Sequence, residues 1–135
     1  MGNKTVLIVE DNDLNMKLVR SMLQLGPYQV LEAGDAETGI QIAREHLPDL
    51  ILMDIQLPGM DGLQATRIIR KDPILSNIPV VALTSYAMQG DEQKATTAGC
   101  TGHIAKPIDT RRFLDMLAEY LEPGDRQEKK VIKTV

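Results

Sequence analysis

Five short aliphatic runs, each followed by a longer stretch whose apolar residues recur every three or four positions, constrain this chain more than any other feature. The runs are Val6-Leu7-Ile8-Val9, a segment near Gln29 to Ala33, Leu50-Ile51-Leu52-Met53, Val80-Val81-Ala82-Leu83 and His103-Ile104-Ala105. Short continuous apolar runs alternating with helical periodicity are the mark of repeated β-α-β units, and so of a parallel sheet covered on both faces. Right-handed crossovers direct such a chain into an open, doubly wound α/β sheet with five strands and five helices.

The helices can be placed from their caps and their apolar spacing. Asn12 or Asp13 caps a first helix with Leu14, Leu18, Val19, Met22 and Leu23 on its apolar stripe, stopped by Gly26-Pro27. Asp35 caps a second helix bearing Ile40, Ala43 and Leu47, which ends at Pro48. The turn-rich loop from Gln56 to Gly62 leads to a third helix defined by Leu63, Ala65, Ile68 and Ile69 and closed before Asp72-Pro73. A fourth runs from about Gly90 to Ala98, with Gly99 suited to a left-handed C-terminal position. The fifth spans Thr110 to Leu121, with Phe113, Leu114, Leu117 and Leu121 facing the core.

At 135 residues, with 43% hydrophobic and 25% charged residues, the chain suits one globular domain, expected over residues 4–122. Residues 123–135 mix charges without an apolar face and are expected to form a flexible tail. No apolar stretch reaches the ~20 residues that cross a bilayer, and no signal-peptide core follows the N-terminus, so the expected location is the cytoplasm. A net charge of −4 offers no basic face for phosphates and argues against direct nucleic-acid binding. The single cysteine, Cys100, has no partner for a disulfide and no metal-spaced neighbours, and reads as a small packing residue.

The chemistry concentrates at the strand ends. Glu10, Asp11 and Asp54 each follow a buried strand, Lys106 follows another, and Thr84 with Ser85 ends the fourth run. In doubly wound sheets the crevice lies outside the carboxyl ends of the strands, where strand order reverses, which brings these residues together. Three carboxylates and one ammonium leave a local charge of −2, which a divalent cation would neutralise. Without one, each close carboxylate pair costs about 4 kcal/mol at an effective dielectric of about 20, and one acid is pushed toward protonation. An all-oxygen donor set favours Mg²⁺, with Mn²⁺ as a substitute, and Mg²⁺ keeps coordination positions open for phosphate oxygens. Attack by Asp54 on phosphorus would form an acyl phosphate, with Thr84 and Lys106 positioned to stabilise its oxygens.

Simpler readings exist for the individual residues. Glu10, Asp11 and Asn12 also suit a turn and helix cap, Thr84-Ser85 a turn, and Lys106 a solvated charge; their joint placement carries the argument. The methionines sit mainly at apolar positions and read as core filler, and His46 as a favourable partner for a helix C-terminus.

The segments Val9-Glu10-Asp11-Asn12, Leu52-Met53-Asp54, Leu57-Pro58-Gly59-Met60-Asp61-Gly62, Leu83-Thr84-Ser85 and Ala105-Lys106-Pro107 together resemble the signature of bacterial two-component response-regulator receiver domains. Five ordered motifs over about residues 4 to 122 carry the resemblance, and the opening Val-Glu-Asp-Asn-Asp-Leu-Asn-Met-Lys looks especially like that of single-domain regulators in the family. The resemblance implies a flavodoxin-like sheet of strand order 2-1-3-4-5. It implies that Asp54 takes a phosphoryl group from a histidine kinase or a histidine phosphotransfer protein. Metal contacts would come from Asp11 and Asp54, from Glu10 directly or through water, and from the Gln56 carbonyl. Thr84, Ser85 and Lys106 would handle the phosphoryl group, Pro107 would follow a cis peptide, and Gln56 and Tyr86 would border the water path that sets signal lifetime.

The family's usual aromatic switch position is occupied here by His103, which implies a weaker, pH-sensitive or different coupling. Output is expected through protein contacts on the face of the fourth helix, fifth strand and fifth helix, with Tyr86, Glu92, Arg111, Arg112 and Asp115 as exposed candidates. Donor docking is expected on the first helix and adjoining loops, where Asn15, Met16 and Pro107 would be accessible. The chain is then a phosphorylation switch that promotes its own Mg²⁺-dependent phosphorylation and dephosphorylation rather than a turnover enzyme. A small-molecule phosphatase would need a second carboxylate two residues after its nucleophile, where this chain has Gln56. An inert docking module, or a piece of a longer hybrid kinase, is the third alternative.

Overall fold

The computed structural model describes residues 3–85 and 90–121, apart from the side chains of Asp91 and Glu92. Five parallel strands, β1 (Lys4–Val9), β2 (Tyr28–Ala33), β3 (Leu50–Asp54), β4 (Val80–Ser85) and β5 (Gly102–Lys106), form one sheet in the order β2-β1-β3-β4-β5. They alternate with α1 (Asp13–Gln24), α2 (Ala36–His46), α3 (Gly62–Lys71), α4 (Asp91–Ala98) and α5 (Phe113–Leu121). This is the flavodoxin-like architecture expected from the sequence. Tyr86 and residues 123–135, named above as a lifetime residue and a tail, lie outside the described residues.

Pleating explains why β1 and β3 read as unbroken apolar runs. Val6, Ile8, Leu50 and Leu52 point to one face, where Val19, Met22 and Leu23 of α1 and Phe113, Leu117 and Leu121 of α5 cover them. Leu7, Val9, Ile51 and Met53 point to the other, against Ile40 and Ala43 of α2 and Ala65 and Ile69 of α3. Every residue of β3 is buried. Each fully buried Leu or Ile contributes about 1.5–3 kcal/mol, so the two layers dominate stability.

The structure corrects several helix readings. Leu14 and Leu18 are 76% and 41% exposed, because Asn12, whose side chain accepts from the Asn15 amide at 2.9 Å, starts α1 in a phase that turns Met16, Val19, Met22 and Leu23 inward. Met16 is therefore buried rather than accessible. Leu47 is no core residue either: it ends α2 in the left-handed region at φ 48° and is exposed. Ile68 lies at the surface, and the buried side of α3 is instead Gly62, Ala65, Thr66 and Ile69. Helix α5 begins at Phe113, not Thr110, since the Asp109 carboxylate accepts from the Arg111 amide at 3.0 Å and closes a separate turn first.

Candidate functional site

Strand register assembles the site. Val9 pairs with Met53, so Glu10 and Asp54 sit level just beyond that pair; Asp54 pairs with Leu83, one residue before Thr84. On the next strand Ser85 pairs with Lys106. Glu10, Asp54 and Thr84 are buried, Ser85 and Lys106 half-buried, and Asp11, Gln56, His103 and Pro107 exposed. The peptide bond between Lys106 and Pro107 is cis.

Lys106 Nζ donates to Glu10 Oε1 at 2.9 Å and to Asp54 Oδ2 at 3.1 Å. The second oxygen of each acid meets a backbone amide: Asp54 Oδ1 accepts from Gln56 N at 2.9 Å, and Glu10 Oε2 from Asn12 N at 3.2 Å. Those two amides were not singled out in the sequence; each lies two positions after an acid, the spacing of an Asx-type turn. Burial, with the neighbouring Asp54 carboxylate, raises the Glu10 carboxyl from 4.5 to about 7 despite the Lys106 ammonium. Burial alone would lower the Lys106 ammonium, but its contacts with Glu10 and Asp54 outweigh it and raise the pKa.

One carboxylate oxygen from each of Glu10, Asp11 and Asp54 falls within 4.8 Å of the others. Opposite oxygens around an octahedral Mg²⁺ stand about 4.2 Å apart, so this set suits such an ion with one ligand adjusting or acting through water. An acid held near neutrality by a crowded, partly dry pocket points the same way, since a divalent charge would relieve it.

The loop after β3 is held from below by α3. Asp61 caps that helix through a reciprocal box with Gln64, and the Gly62 amide donates to the Ile55 carbonyl at 3.3 Å. A Cβ on Gly62 would press on the Asp54 carbonyl oxygen and stand 2.7 Å from Ile55 Cα. Gly62 thus lets the helix support the backbone that carries Asp54 and Gln56.

Residues 6–118 match the response regulator receiver domain family. This chain belongs to that family. As a receiver domain it is similar to the polar-differentiation response regulator DivK of Brucella anthropi, at 46% identity over 118 residues, covering 87% of this chain and 96% of DivK. Among solved structures it is similar to the receiver domain of the sensor histidine kinase PA1611 of Pseudomonas aeruginosa, which has a magnesium ion coordinated in its active-site cleft. That pair has 34% identity and a TM-score of 0.81 over 90% of this chain and 98% of the other. A putative response regulator from Chloroflexus aurantiacus is similar at 26% identity and a TM-score of 0.85, over 90% and 98% of the two chains. A receiver domain of this kind acts in phosphorylation-dependent two-component signalling, with histidine kinases and downstream proteins as partners.

Proposed function

We propose that Asp54 is the phosphoacceptor of this receiver domain and that its phosphorylation alters the protein's contacts with partners. The observation that carries the reading is the pairing of the buried Asp54 carboxylate with Lys106 beside two further acids. A nucleophile needs one oxygen free of strong covalent demand and a cation nearby to receive charge, and Asp54 Oδ2 has Lys106 at hydrogen-bond distance.

Glu10, Asp11, Asp54 and the Gln56 carbonyl would hold Mg²⁺, with Mn²⁺ as a substitute. When bound, the ion supplies charge neutralisation and orientation for phosphoryl oxygens. Asp54 attacks the phosphorus of a phosphohistidine; the P–N bond breaks as the P–O bond forms, and the imidazole leaves with a proton from solvent. Lys106 stabilises the transferring oxygens, and Thr84 with Ser85 binds them at the neighbouring strand end. Acyl phosphate on Asp54 replaces one negative charge by about two, so the ammonium of Lys106 gains a stronger partner. Hydrolysis returns the switch, with Gln56 and Tyr86 bordering the approach of water; the domain thereby promotes both of its own modifications without turnover of a substrate.

The donor is a histidine kinase or histidine phosphotransfer protein. Exposed Leu14 and Leu18 on α1, together with exposed Pro107 after β5, supply apolar docking residues in place of the buried Met16. Output uses α4, β5 and α5, with Arg111 and Arg112 exposed in the turn before α5 and Asp115 exposed on it. No described helix is long and apolar enough to cross a membrane, which supports a cytoplasmic site of action.

Intact-mass measurement after incubation with Mg²⁺ and acetyl phosphate tests the reading. Wild type should gain one phosphoryl unit and Asp54→Asn none. Equal labelling of both proteins, or steady consumption of phosphomonoesters, would overturn it.

A further inference from the structure

Arg70, in the last turn of α3, makes four hydrogen bonds to uncharged acceptors. Nε donates to the Gly99 carbonyl at 2.7 Å, Nη1 to the carbonyls of Ser76 at 3.1 Å and Ile78 at 2.8 Å, and Nη2 to the Thr101 hydroxyl at 3.3 Å. No carboxylate among the described residues pairs with it. One side chain thus joins the end of α3, the turn before β4, the end of α4 and the segment leading to β5. Acceptors without titratable protons also keep these bonds indifferent to pH across the carboxylate range.

Several bonds converge on the C-terminal end of α4. At its C-terminal end Gly99 adopts φ 109°, the Gly99 amide donates to Thr96 at 3.1 Å, and Cys100 N donates to Ala95 at 2.9 Å. Thr101 N then donates to the Val80 carbonyl at 2.7 Å. Any Cβ on Gly99 would stand 2.7 Å from Arg70 Cγ, so glycine is required both for the backbone and for the arginine beside it. At the other end Gly90 provides no side-chain cap. The described side chains that α4 buries are only Ala95 and Ala98, whose methyl groups offer little area. A groove of about 520 Å³, lined by Leu63, Arg67, Gly90, Gln93, Lys94 and Thr97, opens between α3 and α4.

We propose that Arg70 is a positioning residue that clamps the C-terminal end of α4, so that phosphorylation of Asp54 swings the N-terminal half over the α3–α4 groove while residues 98–102 stay fixed. The inference rests on the proposed role of Asp54, and on Thr84 as the responding group one strand away. Chain connectivity supports it: β4 carries Thr84 at its end and the chain then runs to the start of α4, so a shift at Thr84 reaches the N-terminal end of that helix first. A helix of eight residues is about 12 Å long, enough for a small rotation about Gly99 to become a displacement that a partner can read. Without the guanidinium, the same push would be absorbed at both ends.

Hydrogen–deuterium exchange with and without Mg²⁺ and beryllofluoride, a phosphoryl mimic, tests this alongside acetyl phosphate labelling. In wild type the mimic should change exchange at residues 90–95 and leave 98–102 unchanged. In Arg70→Leu the response should spread into 98–102, with exchange there about tenfold faster, while Asp54 labels within about twofold of the wild-type rate. Thr101→Val, which removes one acceptor and keeps the branched shape, should show a smaller spread and serves if Arg70→Leu does not fold. A wild-type protein that labels but responds equally at 90–95 and 98–102 overturns the clamp alone, as does a foldable variant with the wild-type pattern. Failure of wild type to label overturns the Asp54 reading, and the clamp with it.

Discussion

Lys106 and Glu10 stand 96 positions apart in the chain and 2.9 Å apart in space. The same ammonium reaches Asp54 at 3.1 Å, so one positive charge bridges two acids. Lys106→Met removes the only cation within that hydrogen-bonded set, making the pocket more negative. Calorimetry should then show Mg²⁺ binding at least as tight as in wild type, while intact-mass kinetics show labelling by acetyl phosphate about 10²-fold slower, the usual loss for one charge-stabilising donor.

Glu10 ties metal binding to pH. Its carboxyl is raised from 4.5 to about 7, and Mg²⁺ requires the ionised form, so binding releases a proton below that pH. Affinity should rise by up to about tenfold per unit as pH increases toward 7 and level off above it. Calorimetric titrations in buffers of different ionisation enthalpy measure the proton directly.

The same shift has a consequence for stability in chelator. An acid whose folded pKa exceeds its unfolded value stabilises fully below the unfolded value, and that contribution is lost as pH rises through the folded one. For Glu10 the window is 4.5 to about 7, with a ceiling on the order of 3 kcal/mol from the size of the shift. Urea midpoints of wild type should fall across this window, and those of Glu10→Gln should fall less.

Gly62→Ala forces a methyl group against the Asp54 carbonyl and Ile55 Cα. Overpacking of this kind costs about 1–3 kcal/mol. Denaturation should show that loss, and labelling at Asp54 should slow further than in an equally destabilised core variant such as Leu52→Ala, because the displaced backbone belongs to the reacting residue.

Exposed Leu14 and Leu18 separate docking from chemistry. Leu14→Ala with Leu18→Ala should change stability by less than about 1 kcal/mol, leave labelling by acetyl phosphate intact, and slow transfer from a histidine phosphotransfer protein. Single-turnover transfer assays with each donor make the comparison. For His103→Tyr, amide shifts with beryllofluoride should match wild type at Thr84 and Lys106 and differ around residue 103; identical patterns throughout would remove any special effect of histidine.

Strands β1, β3 and β4 were legible because burial on both faces writes itself as continuous aliphatic runs, and the crossover rule then leaves little choice of topology. The acids at strand ends followed from that topology. What the sequence left open was rotation and depth. Helix α1 carries two apolar stripes, and only the Asn12 cap decides that Met16 rather than Leu14 turns inward. Glu10 and Asp11 are adjacent acids, yet the first is buried just past the end of β1 and the second, in the bend that follows, is exposed. Leu47 resembled a core residue by spacing alone, although the chain there must reverse before Pro48. Nothing in the sequence singles out Arg70, since carbonyl acceptors from distant segments have no signature there.

Among the described strands β5 has one neighbour, β4, while β3 lies between β1 and β4. Thermal fraying begins at such borders, so warming should withdraw Lys106 from the pocket before it disturbs Asp54 on β3. The domain should therefore pass through a temperature range in which it still captures divalent ions yet has become deaf to its phosphodonor, a graded loss of signalling well short of melting.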